Sequence, residues 1–212
     1  MSSRSLDALF SPRSVALVGA SEGSASVGSV VFENLLGGGF EGEIIPVNLK
    51  RKTVRGRRCY PSVSRVGRPV DLAVIATPAD TVPGILEDCA ASGVRASVIM
   101  SAGFAEAGKA GARLQGRAVA IARRHGIRLL GPNCLGLMRP DIGLNATFSK
   151  SSARPGGVAL VSQSGALCTA ILDWADVHGV GFSAVLSLGD VADLDVARGI
   201  GLEFGDQLVY DD

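Results

Sequence analysis

The sequence predicts an α/β fold built on a parallel sheet, and three observations carry that prediction. Short apolar runs of strand length alternate with longer segments of helical period, the pattern of strands joined by crossover helices. Glycines fall where the helical segments should stop. The 212 residues, 47% of them hydrophobic, are enough for one full domain and a small or partial second one.

Taken in order, Val15–Val18 is a buried-strand run. Val27, Val30, Val31, Leu35 and Leu36 follow at helical spacing until Gly37–Gly39. Ile44–Val47 is the second strand and Leu72–Ala76 the third. Thr81 then reads as an N-cap, with Pro83 in the first turn of a helix that runs to Gly93. Ala96–Met100, a helix over Gly111–Arg124 stopped by Gly126, and Arg128–Leu130 complete five parallel strands, a full dinucleotide-type sheet. Periodicity is lost from Asp141 to Pro155, which reads as an interdomain connection with few apolar anchors. A second start follows: strand Val158–Val161, a tight turn at Ser162–Gly165, a helix marked by Leu167, Ile171 and Trp174 and stopped by Gly179, and strand Phe182–Leu186. The expected division is therefore 1–140 for the first domain, 141–156 for the linker and 157–212 for an incomplete second domain. The last part is too short for a full doubly wound unit, so it is truncated, completed by another chain, or docked on the first domain.

Charge excludes several function classes. Twenty-one basic and twenty acidic side chains leave a net charge of +1, too small a field to draw the chain onto nucleic acid or an anionic membrane. No stretch approaches the ~18 apolar residues of a membrane helix. Cys59, Cys89, Cys134 and Cys168 form no C-x-x-C pair or disulfide framework, which points to a reduced cytoplasm.

The chemistry begins at Gly19–Gly28, between the first strand and the first helix. Glycines let a backbone approach a ligand, and a helix N-terminus offers free N–H groups to a phosphate. The spacing is not the G-x-G-x-x-G of dinucleotide enzymes. At the end of the second strand an NAD site wants an acid for the ribose hydroxyls. Here Pro46–Lys50 supplies Asn48 and Lys50 instead, and six of the nine residues from Lys50 to Arg58 are basic. That edge prefers a phosphate-rich ligand, coenzyme A or NADP, while each basic residue beyond Lys50 is better explained by a solvated loop than by direct ligation. Cys134 has no neighbouring histidine or carboxylate in sequence to activate it and reads as a small buried hydrophobe. His125 and His178 each precede a glycine at a helix end, where capping and the helix dipole account for them.

The ordered set Gly19-Ala-Ser21, Pro46–Lys50, Ala76-Thr-Pro78, Ser101–Phe104, Gly131–Cys134 and Ser162–Gly165 resembles the NDP-forming acyl-CoA synthetases over nearly the whole chain. Relatives of that family include the succinyl-CoA synthetase alpha subunit and protein lysine acetyltransferases with the same CoA-binding module. The resemblance implies a Rossmann-type CoA-binding domain followed by a partial flavodoxin-like α/β segment. It implies that Gly19, Ala20, Ser21, Ser26, Val27 and Gly28 wrap the adenosine diphosphate end of CoA or acyl-CoA. Pro46, Val47, Asn48 and Lys50 would meet the adenine and phosphates, with Leu49 standing where proline is common. Thr77, Pro78, Ser101, Ala102 and Gly103 would follow the pantetheine, and Asn133 would lie near the thiol end. Ser162, Gln163, Ser164 and Gly165 would hold an acyl carboxylate or phosphoryl group, a simple helix-capping turn being the alternative. No metal is expected, and no catalytic residue.

The family reaction runs through an acyl phosphate and a phosphorylated histidine, and neither histidine here sits in such a motif. That histidine and the nucleotide-grasp domain would come from further chain or a partner subunit. Asp195–Glu203 departs from the family pattern by a short insertion. Two functions follow as expectations: the CoA-binding portion of an acyl-CoA synthetase, or a noncatalytic CoA-sensing or regulatory module of an acetyltransferase. An NADP oxidoreductase is third, without a visible Tyr-Lys or His pair. Homo-oligomerisation is left open.

Overall fold

The computed structural model describes residues 4–23 and 26–194. A short helix α1 (Arg4–Phe10) leads into β1 (Ser14–Val18), α2 (Val27–Gly37) and β2 (Glu43–Val47). A two-residue hairpin, β3 (Thr53–Val54) and β4 (Arg57–Arg58), precedes β5 (Leu72–Ile75), α3 (Val82–Ala91), β6 (Ala96–Ile99), α4 (Lys109–His125) and β7 (Arg128–Leu130). Then come β8 (Gly136–Arg139), β9 (Leu144–Thr147), β10 (Pro155–Ser162), α5 (Gly165–His178) and β11 (Phe182–Ser187). No helix among the described residues is long and apolar enough to cross a membrane.

The first sheet is parallel with order β2-β1-β5-β6-β7. Counted over its own strands this is 2-1-3-4-5, a doubly wound arrangement whose order reverses between β1 and β5. Residues alternate between its faces as the two-residue strand period requires. Val15, Leu17, Leu72 and Val74 pack with α1, α2 and the second sheet, whereas Ala16, Val18, Ala73 and Ile75 pack with α3 and α4. Gly126, at φ +68°, ends α4 in the left-handed conformation expected of a C-terminal glycine.

The second sheet is mixed, with order β10-β11-β8-β9. The parallel β10–α5–β11 unit expected from sequence is present, and α5 covers the outer face through Cys168, Leu172 and Ala175 against Leu135, Met138 and Val185. Its neighbours differ from expectation. The aperiodic stretch after Asp141 contains β9, whose four residues Leu144, Asn145, Ala146 and Thr147 are all buried. They show no alternation because both faces are covered and the polar pair is satisfied internally, Thr147 Oγ1 donating to Asn145 Oδ1 at 2.8 Å. Asn34 of α2 ties the strand down, its Nδ2 donating to the carbonyls of Thr147 and Ser149, each at 2.8 Å.

A second difference concerns Thr81. Its backbone is helical and its hydroxyl donates to the Pro78 carbonyl at 2.6 Å, so it closes the 3-10 turn Ala79–Thr81 and does not cap α3. Pro78 and Pro83 on either side favour a tight turn here over an open cap. The Asp195–Glu203 insertion lies outside the described residues.

Candidate functional site

Register places the ends of β2, β1 and β5 level, Val47 beside Val18 and Val18 beside Ile75. The residues that follow them, Asn48, Gly19 and Ala76, therefore emerge together at the point where the sheet order reverses, where an open α/β sheet has its crevice. Gly19 is at φ +97°, and a Cβ there would lie 2.5 Å from the Ala76 carbonyl oxygen. Only glycine lets the two strand ends approach so closely. Gly28 does the same for the helix: a Cβ would lie 2.0 Å from the Gly19 oxygen, so the first turn of α2 rests directly on the loop. Ser26 caps that turn by accepting from the Ser29 N–H at 3.2 Å, and Ser21 Oγ accepts from the Gly23 N–H at 3.0 Å. Asn48 is the pin between the two strand ends. Its Nδ2 donates to the Ala20 carbonyl at 2.9 Å, and its Oδ1 accepts from the Lys50 N–H at 2.9 Å. Its amide is thereby committed to the loop backbone, a positioning role the sequence did not reveal.

A cavity of about 680 Å3 opens beside this junction. Of the sequence-expected residues, Gly19, Val47, Asn48, Lys50, Thr77 and Pro78 line it. Pro46 is buried in β2 beneath it, and Ala20, Ser21, Ser26, Val27 and Gly28 form the loop and helix start at its side. The opposite wall was not read from sequence: Pro61, Ser62 and Val63, with Ile85 and Asp88 of α3. A signal existed, since Thr81, Gly84, Ile85 and Asp88 follow the i, i+3, i+4, i+7 spacing of one helix face. A larger cleft of about 810 Å3 lies beyond the amino ends of β1 and β2, lined by Ser11–Arg13 and Gly38–Gly42. Among the described residues no α-helix N-terminus lines it, and it lies at the wrong end of the strands for ligand binding in this architecture.

The basic stretch divides as its chemistry suggests. Arg51 approaches Glu22 at 3.9 Å, Arg55 pairs with Glu33, and the Arg58 guanidinium lies 5.0 Å from the centroid of the Tyr60 ring. Lys50 is exposed, makes no ion pair among the described residues, and is the cation that lines the cavity.

The remaining expected residues form a second line of contacts along the carboxyl edge. Ser101 Oγ donates to the Thr77 carbonyl, and the Asn133 N–H donates to the Ser101 carbonyl at 3.0 Å. Asn133 Nδ2 in turn donates to Asp190 Oδ1 at 3.2 Å. Ala102 is exposed beside Ser101, and Gly103 donates its N–H to Glu106. The Ser162–Gly165 turn joins from the second sheet. The Leu188 N–H donates to the Ser162 carbonyl at 2.8 Å, and Gly165 sits against Leu135, just past the Gly131–Cys134 turn. Ser164 caps α5 by accepting from the Leu167 N–H at 3.2 Å, and Ser162 Oγ accepts from the Ser164 N–H at 3.1 Å. Gln163 is exposed. The turn is a helix cap whose remaining first-turn N–H groups are those an α-helix leaves without internal partners. The carboxyl edges of both sheets thus meet around Asn133.

Cys134 is buried, its thiol donating to the Ile99 carbonyl at 3.3 Å, and burial pushes it up to about 12. It is a neutral thiol at physiological pH, in line with the reading of a small buried hydrophobe. Among the described residues no cluster of three or more His, Cys, Asp or Glu side chains could hold a metal ion. His178 Nδ1 donates to the Trp174 carbonyl at 2.8 Å and its ring stacks on that of Trp174, while His125 lies 3.3 Å from Glu87. Both occupy helix ends.

Two carboxyl groups meet at the junction of the sheets. Burial, then the hydrogen-bonded neighbour Glu106, raise the Asp190 carboxyl above the usual range, against the opposing hydrogen bond from Asn133. Burial opposes ionisation of Glu106 too, but hydrogen bonds from the Gly103 N–H and from Asp190 outweigh it and lower its carboxyl. A group raised in the folded state stabilises below its unfolded value and loses that contribution as pH rises through its folded one. Asp190→Asn keeps an acceptor for Asn133 and gives Glu106 a neutral donor. The expected result is a melting temperature about 2 °C higher at neutral pH, with no gain in acid below the carboxylate range, read by thermal scans across pH.

Comparison with known proteins places these features in a family. The CoA binding domain matches residues 13–140, and the succinyl-CoA ligase like flavodoxin domain matches residues 155–203. The chain is 45% identical over 190 residues to the acetate–CoA ligase [ADP-forming] I of Archaeoglobus fulgidus, covering 90% of this chain and 27% of that protein. It is 44% identical over 197 residues to the alpha subunit of acetate–CoA ligase [ADP-forming] I of Pyrococcus furiosus, covering 91% of this chain and 43% of that one. Its structure is similar, with a TM-score of 0.91 and 39% identity, to the dinucleotide forming acetyl-coenzyme A synthetase 1 of Ca. Korarchaeum cryptofilum in complex with phosphate and ADP, covering 96% of this chain and 43% of that one. The chain thus spans less than half the length of these relatives. With the five-stranded parallel sheet, the glycine loop at its switch point and the second βαβ unit all in the matched order, this chain belongs to the CoA-binding domain family, in the form found in NDP-forming acyl-CoA synthetases.

Proposed function

We propose that this chain is the CoA- and acyl-CoA-binding portion of an ADP-forming acyl-CoA synthetase. The complete reaction exchanges an acyl-CoA, ADP and phosphate for the free acid, CoA and ATP. The observation that carries the reading is the cavity at the β1–β5 switch point with Lys50 lining it, where an NAD site would carry an acid. In this reading the first turn of α2 and the Gly19–Ser21 loop hold the diphosphate, and Lys50 holds the ribose phosphate as a point charge. The pantetheine follows Thr77, Pro78 and Ser101–Gly103 toward Asn133. The Ser162–Gly165 turn, brought to the same edge, receives the acyl carboxylate or phosphoryl group.

Residues 1–140 are the CoA-binding unit, 141–156 the connection and 157–212 the start of the flavodoxin-like unit. The matches at 13–140 and 155–203 support this division, with β8 and β9 contributed to the second sheet from across it. A phosphohistidine segment and a nucleotide-grasp component, in further chain or a partner subunit, complete the cycle. Four buried free cysteines fit a reducing cytoplasm.

Calorimetric titration with CoA, acetyl-CoA, NADP and ADP tests the reading. CoA and acetyl-CoA are expected to bind saturably, and NADP and ADP to bind more weakly. Binding of NADP without CoA overturns it.

A further inference from the structure

Asp88 stands on the cavity wall formed by α3, and among the described residues it and Lys50 are the charged side chains that line the cavity. Its Oδ2 accepts from the Val63 N–H at 2.7 Å and from the Ser64 N–H at 3.2 Å, which anchors the 3-10 turn Ser64–Val66 to the helix. Its second oxygen, Oδ1, has no protein partner among the described residues. The walls around it are apolar: Val18, Val47, Pro61, Val63, Pro78 and Ile85. An apolar slot with one carboxylate acceptor suits a flat base that presents a donor at its edge. The position narrows the choice further. In CoA the phosphorylated ribose also carries the base, so a ligand whose phosphate meets Lys50 holds its base within reach of this same cavity.

We propose that Asp88 is the residue that selects adenine, its unpartnered carboxylate oxygen accepting a hydrogen bond from the exocyclic amine of the purine while the other oxygen holds the Val63–Ser64 turn in place. The inference rests on the CoA-binding reading and extends it to base specificity. A purine with oxygen at position 6 presents an acceptor where adenine presents a donor, and the carboxylate repels it.

The test is Asp88→Asn, which keeps an amide oxygen for the Val63 and Ser64 N–H groups and places an NH2 donor at the free corner. CoA and its 6-oxo analogue, with hypoxanthine in place of adenine, are titrated calorimetrically into both proteins. The wild-type chain is expected to prefer CoA by about tenfold or more, and Asp88→Asn to lose or reverse that preference. A merely structural role for Asp88 would weaken both ligands alike and leave their ratio unchanged, and that outcome overturns the proposal. It is equally overturned if the wild-type chain binds both ligands with the same affinity, as it would if the pantetheine arm occupied this wall. Failure of the wild-type chain to bind CoA at all is a different result, which removes the CoA-binding reading and the inference built on it.

Discussion

Charge reversal at Lys50 is expected to weaken CoA binding by about 1.5–3 kcal/mol, roughly tenfold to over a hundredfold, because it replaces a charged hydrogen bond to phosphate with repulsion. Lys50 is exposed, and its own N–H is held by Asn48, so the side chain can be changed without disturbing the turn that presents it. Folding should therefore be unaffected, and a thermal scan of Lys50→Glu should overlay that of the wild type. Dephospho-CoA sharpens the measurement. If Lys50 meets the ribose phosphate, removing that phosphate from the ligand makes the substitution nearly silent. Unchanged CoA affinity in Lys50→Glu removes the residue from the site.

Gly28→Ala is expected to have the second large effect, by a different route. The added methyl group would sit 2.0 Å from the Gly19 carbonyl oxygen and 3.0 Å from its carbon, both backbone atoms that cannot rotate away. The first turn of α2 must lift from the loop, which breaks the close approach that, in the proposed reading, offers a diphosphate both N–H groups and helix dipole. Overpacking of this kind costs about 1–3 kcal/mol, or several degrees of melting temperature for a chain of this size. CoA affinity should fall by more than about tenfold for the same geometric reason. Gly37, the last residue of the same helix, has nothing within 4 Å of a Cβ, so Gly37→Ala is the control and should leave both stability and binding intact. A normal CoA affinity in Gly28→Ala would show that the helix start does not touch the ligand.

Much of the fold was legible because it is local. Each of the five parallel strands is a short, largely buried run, and α2, α3 and α4 announce their faces by spacing and stop at glycines. Half of the site was legible for a related reason. The end of β1, the start of α2 and the end of β2 are adjacent through one βαβ unit, so residues 19–28 and 46–50 must come together once the strands pair in parallel. The absence of an acid at the end of β2 could then be read as chemistry.

The remainder depended on contacts between residues far apart in the chain. Leu144–Thr147 looks like linker because a strand buried on both faces, with its polar side chains bonded to each other, has no alternation to detect. That Asn48 also pins the glycine loop was not legible, since nothing in the sequence says that Ala20 lies opposite it. Asp190 and Asn133 are 57 residues apart and meet only because the second sheet docks on the first.

The sequence by itself determined the order of the five parallel strands, the β10–α5–β11 unit, the glycine loop and the absence of an acid at the end of β2, because these follow from backbone propensity, side-chain period and residue type. Only the tertiary structure decided which wall faces Lys50, since Asp88 reaches the cavity through the packing of α3 against the sheet. It also decided that the Ser162–Gly165 turn shares an edge with Asn133, a contact between two sheets that no local pattern encodes.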